Sequence, residues 1–229
     1  AGALAAVGSA YTLMVFLISV LLGLAMGSGT VFSLHYGAGN HVALRRSIFS
    51  SFALIGIVTL ILNVVVFIWL DPILRLLQVP QDIYGMMRSY LWIIFCGIVF
   101  TFIYNFYASL LRAVGDSVTP IWFLAVSVVL NIALDLFFIL QLDWGIQGAA
   151  AATVLAQGVA ALGIIIYTYR RRPELRWHHE GMCFDRTCLK EIASFSTLTC
   201  VQQSVMNLGI LMIQGLVNSF GTAVMAAFA

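Results

Sequence analysis

Hydrophobic residues make up 62% of the 229 residues and charged residues only 9%, against ~45–50% and ~25% in soluble domains. Such a chain lacks the polar surface needed to stay dissolved, so it reads as an integral membrane protein. The formal net charge of +2 is small and unevenly placed, which argues against a nucleic-acid partner.

No basic stretch precedes the opening apolar run, so no signal peptide is expected. The first charge is Arg45, and none follows Glu191. Both ends are expected to be cut from a longer polypeptide. A spanning helix needs ~20 mostly apolar residues, and the charges divide the chain into such pieces. Residues 1–44 are charge-free, with a helix expected to end near Leu34. Ser47–Leu70, Ser89–Leu111 and Trp144–Tyr169 are uncharged runs of 24, 23 and 26 residues. Ser117–Leu142 is similar but holds Asp135. Ile192–Ser219 makes a sixth span, and a seventh begins near Thr222. Short connectors imply that consecutive spans run antiparallel.

Connectors on one side carry Arg45, Arg46, Arg112, Arg170, Arg171, Arg172, Arg176, Arg186 and Lys190, while the other side carries Arg75 and Arg88. By the positive-inside rule the first side is cytoplasmic. Gly115 closes one helix, and Thr119-Pro120 is expected to cap and open the next. Asp71-Pro72 and Val79-Pro80 mark an outer connector, with room for a short interfacial helix. Arg170–Glu191 is the long polar linker, either a hinge or a plain tether. Ala3–Val7 resembles Ala223–Ala227, a faint sign of a parallel repeat.

The four cysteines form no disulfide framework. Cys96 and Cys200 fall in apolar spans, and Cys183 and Cys188 lie in the basic, cytoplasmic loop. His178, His179, Cys183 and Cys188 lack the spacing of a zinc site, so no metal is expected there. Gly27-Ser28-Gly29 lies at the end of an apolar helix and is no phosphate loop. Gly148–Ala152, Ala156, Gly158 and Gly163 form a small-residue face for close helix packing.

Of nine acidic residues only Asp135 sits well inside a span. An Asp at a helix centre costs ~2.5–3.5 kcal/mol on insertion scales, so it faces a cavity or a partner. Asn131 lies one turn earlier on the same face. Asp135 is nine residues before Trp144 and Thr153 nine after, so the two share one depth in an antiparallel hairpin. Asn131, Asp135 and Thr153 can therefore surround a pocket of oxygen ligands. Such a pocket suits either a proton, since desolvation raises a carboxyl pKa, or a small hard cation such as Na⁺. Neutralising the carboxylate changes the cost of burying it, which is what an ion-coupled switch requires. On the sixth span Gln203, Asn207, Gln214 and Asn218 form one stripe, a candidate cavity lining or an interhelical hydrogen-bonding face. Tyr104, Asn105 and Tyr107 are candidates for contact with an aromatic or cationic ligand, or for plain packing.

Three stretches, Leu111–Pro120, Leu130–Asp135 and Gly145–Thr153, resemble the multidrug and toxic compound extrusion (MATE) family of secondary transporters. The resemblance runs along essentially the whole chain. It implies an all-α integral membrane protein, a polytopic bundle forming one six-helix lobe without its first helix, plus the start of a second lobe. The lobes divide as 1–169, the linker 170–191, and 192–229. The implied activity is export of organic cations or drugs in exchange for Na⁺ or H⁺, with no cofactor. Asn131, Asp135 and Thr153 match the family's first-lobe cation site. The implied setting is the inner cell membrane, with the linker cytoplasmic. Its partners are lipid, a drug-like cation, and the missing first helix and second lobe. The first helix, whose acidic residue completes the site in the family, is absent, so residues 1–229 alone are not expected to transport. A lipid-linked precursor flippase is the alternative, but the spans hold no Lys or Arg to match pyrophosphate. An intramembrane enzyme would need a buried catalytic set, and the spans are expected to bury only one acid and no His.

Overall fold

The computed structural model describes residues 2–76, 81–176 and 186–219. They form six long helices: α1 (Gly2–Gly37), α2 (His41–Leu76), α3 (Gln81–Ala113), α4 (Val118–Leu136), α5 (Gly145–Arg171) and α6 (Arg186–Ser219). A five-residue π-helical segment, Phe137–Gln141, prolongs α4, and a 3₁₀ turn, Pro173–Leu175, follows α5. Among the described residues, five of these helices are long and apolar enough to cross a membrane. The predicted start of a seventh span, and His178, His179 and Cys183 of the linker, lie outside the described residues.

Side-chain contacts fix the directions. Asp71 at the end of α2 meets Arg88 near the start of α3 at 2.9 Å, so these two helices are antiparallel. The Cβ-less face of Gly97 abuts Val154, and Phe100 lies against Gly158, so α3 and α5 run parallel. Gly23 faces Cys200 and Gly27 faces Ser196, so α1 and α6 are antiparallel. Each relation is the one alternating spans require.

The core lies between α1, α2 and α3. Phe32, Phe95 and Phe106 are essentially inaccessible, and Phe106 takes an edge-on ring of Phe32 at 5.9 Å and of Phe52 at 5.2 Å. In lipid, helices associate through such packing and through interhelical hydrogen bonds, because apolar burial alone gains little against acyl chains. Tyr107 belongs to this core: it is 4% exposed and packs edge-on to Phe106.

Two local features differ from expectation. First, α2 runs through Pro72 to Leu76, so Asp71-Pro72 does not end the helix. The missing proline N–H removes one ladder bond near the end of α2, where Tyr84 and Arg88 of α3 both hold Asp71. Second, Thr119 sits inside α4 and does not cap it. Asp116 does the capping, accepting from the Thr119 N–H at 3.1 Å and its hydroxyl at 2.9 Å, where the helix dipole favours a carboxylate. Gly115, at φ +88°, makes the preceding turn that only glycine adopts without strain.

Candidate functional site

The Asp116 cap is one corner of a polar cluster that ties three segments together. Tyr167 of α5 donates to its Oδ2 at 3.2 Å, and the Arg172 guanidinium stands 3.9 Å away. Burial pushes the Asp116 carboxyl up. The Thr119 and Tyr167 hydrogen bonds and the Arg172 charge outweigh it and hold the group below the usual carboxylate range. Beyond Arg172, Leu175 is buried in the bundle core and Arg176 donates to the Tyr169 carbonyl at 2.7 Å.

The intramembrane site is built on α4 and α5. They pack antiparallel, with Gly163 of α5 against Phe123 of α4 and Gly148 against Phe138 of the π-helical segment. Between those contacts the Asn131 amide donates to Thr153 Oγ1 at 3.3 Å, and the Thr153 hydroxyl donates to the Ala149 carbonyl at 3.0 Å. Counting from Trp144 places Asp135 at the depth of Thr153, but the residue that meets Thr153 is Asn131, one turn away. The reason is that the π-helical segment and the turn before Trp144 lie on the α4 side of the hairpin. Asp135 lies one turn beyond Asn131, at the junction with the π-helical segment. Such segments recur at functional sites. Its Oδ1 is buried and has no hydrogen-bond partner among the described residues, and Tyr90 of α3 lies within electrostatic range of the carboxylate.

A cavity of about 320 Å³ opens beside the Asn131–Thr153 pair, walled by α1, α3, α4 and α5, and Asp135 is not among its lining residues. Asn131, Thr153, Tyr104 and Asn105 all line it. Tyr104 also donates to the Pro120 carbonyl, and Asn105 to the Thr101 carbonyl, each at 2.8 Å. Three further lining residues, Thr101, Ser127 and Gln157, escaped the sequence reading. The available signal was helical spacing: Gln157 is one turn past Thr153, and Thr101 one turn before Asn105.

The α6 stripe has a different setting. Asn207 donates to Ser19 Oγ of α1, and Gln203 is half-buried. Above Asn207 the stripe's remaining amides, Gln214 and Asn218, have side chains outside the described residues. Ser196 and Cys200 also reach α1 backbone carbonyls, those of Leu24 at 3.4 Å and Val20 at 3.6 Å. Cys188 accepts from the Ser47 hydroxyl at 3.6 Å.

Apolar helices around a cavity that gathers amides and hydroxyls, with one intramembrane carboxylate a helical turn away, define a multi-pass helical membrane protein with a polar interior. The MatE family profile matches residues 1–137, and the chain belongs to that family. It is 31% identical to the probable multidrug resistance protein YpnP of Bacillus subtilis, a match covering 100% of this chain and 51% of that protein. It is 32% identical to the multidrug export protein MepA of Staphylococcus saprophyticus over 71% of this chain and 37% of that one. The crystal structure of MATE in complex with MaD3S superposes with a TM-score of 0.90 at 22% identity, covering 99% of this chain and 52% of that structure. The chain therefore spans about half the length of these relatives.

Proposed function

We propose that this chain is part of a secondary active antiporter that exports organic cations or drugs in exchange for Na⁺ or H⁺, with Asp135, Asn131 and Thr153 in a first-lobe cation site. The observation that carries the coupling role is the buried carboxylate oxygen of Asp135, which has no partner among the described residues. An unpaired buried oxygen on a charged group is costly, and a proton or small cation relieves that cost when it binds. MepA is a multidrug export protein and YpnP a probable multidrug resistance protein, and both relatives favour this cargo over a lipid-linked precursor. Residues 192–229 then open the second lobe, and the connectors rich in arginine, including 170–191, face the cytoplasm of a cell-membrane protein.

The full-length transporter in vesicles tests the reading by ethidium efflux under separately imposed sodium and proton gradients. One gradient should drive efflux, and Asp135→Asn should abolish that dependence at unchanged protein yield. Efflux by Asp135→Asn that still follows the gradient would remove Asp135 from the coupling.

A further inference from the structure

Beside the larger cavity, between α3 and α5, lies a small pocket of about 20 Å³. Its polar wall is Thr101, Thr153 and Gln157, and its apolar wall includes Phe95, which is 1% exposed. One water needs roughly 10–15 Å³ of such volume and two to four polar partners. Both conditions hold.

The donors and acceptors also balance. The Thr101 hydroxyl donates to Gln157 Oε1 at 2.5 Å, and the Thr153 hydroxyl is committed to the Ala149 carbonyl. Each hydroxyl oxygen keeps a lone pair, and the Gln157 NH₂ keeps its two protons. A water that donates to both threonine oxygens and accepts from the glutamine amide satisfies all three. A cation suits the pocket less well, because none of the three side chains carries a charge. The helices meet closely here because residue 97 is glycine: a Cβ on Gly97 would stand 2.4 Å from a Val154 methyl.

We propose that this pocket holds one water molecule that ties Thr153 and Gln157 of α5 to Thr101 of α3, and that Thr101 and Gln157 are positioning residues for the cation site. The water stands on the pocket alone, whereas the positioning role rests on the function proposed above. Thr153 is the shared member: it accepts from Asn131 on one side and faces the pocket on the other. Fixing its hydroxyl against α3 sets where the Asn131–Thr153 pair sits relative to Asp135.

Pulsed X-ray hydroxyl-radical footprinting of the full-length protein in nanodiscs tests the water, because radiolysis of a bound water labels the side chain beside it. Phe95 should label several-fold faster than the equally buried Phe32, and Thr101→Val and Gln157→Leu should bring it down to the Phe32 rate. Phe95 labelling as slow as Phe32 in the parent protein would overturn the water site. In vesicles, Thr101→Val should raise the half-saturating concentration of the coupling cation about tenfold, as loss of outer-shell partners does at ion sites. That rise should exceed any fall in maximal rate, and Thr101→Ser should restore it. Unchanged half-saturation with lost Phe95 labelling would overturn the positioning role. Gradient-independent efflux in the parent would instead sink the proposed function, and would leave the labelling result standing.

Discussion

Replacing Gly27 by Ala probes how tightly the α1–α6 seam is built. A Cβ there would lie 2.4 Å from Ser196 Cα and 2.6 Å from its backbone N. Ordinary carbon contacts are about 3.5–4.0 Å, so the helices must part by about 1 Å. Both atoms are backbone, so no side-chain rotation relieves the clash. Overpacking typically costs ~1–3 kcal/mol. Parting the seam also stretches the bonds from Ser196, Cys200 and Asn207 to α1, worth ~0.6 kcal/mol each in membrane proteins. Alanine returns ~1 kcal/mol through its helix propensity, leaving a net loss of about 1–4 kcal/mol by these figures. Gly56→Ala is the control, because its added Cβ meets only the Phe102 ring at 3.8 Å. That change should be neutral or stabilising by up to ~1 kcal/mol. Equilibrium unfolding of the full-length protein in mixed micelles measures both. If Gly27→Ala proves as stable as Gly56→Ala, the close packing of α1 on α6 is wrong.

Asp116→Asn should cost ~1–2 kcal/mol at pH 7, since it weakens hydrogen bonds to a charged acceptor. The folded carboxyl is held low, so its contribution is present above the unfolded pKa of ~3.9 and lost as pH falls through the folded value. Thermal unfolding of parent and variant from pH 7 to pH 3 should therefore converge at the acid end. Asn207→Leu should lower stability by ~0.6–1.7 kcal/mol through the lost bond to Ser19. A changed drug profile at unchanged melting temperature would assign Asn207 to the cavity instead. Asp143 holds φ +52°, so Asp143→Gly should raise stability by up to ~1 kcal/mol and Asp143→Val should lower it by ~1–2 kcal/mol. Opposite signs in a thermal melt would show that the turn at Trp144 is not strained.

The helices were legible because charge is expensive in lipid and marks where each span must stop. Ser117–Leu142 became α4 with its π-helical extension, and Trp144–Tyr169 falls inside α5 but for its first residue. The ends were less legible: beyond the bilayer polar residues cost little, so α2 continues past Pro72 and α6 begins at Arg186. Thr153 could be placed opposite this stretch of α4 because a short turn fixes relative depth in a hairpin. The count chose Asp135 where the structure pairs Asn131, one turn away, the π-helical segment lying on the α4 side of the turn. Thr101 and Gln157 could not be paired, because α3 and α5 are separated by a whole helix. Their register depends on Gly97 and Val154, a contact with no local signature. The amides of α6 showed which face of that helix is polar, while periodicity cannot name the neighbour, here Ser19 of α1.

The burial of Leu175 bears on how the protein can be divided. The bundle's true edge lies at least as far as Arg176, five residues past the last helical residue of α5. A recombinant piece stopped at Arg171 would leave a greasy slot open to water and strip Asp116 of its guanidinium, inviting clumping. One carried through Arg176 would keep its own plug.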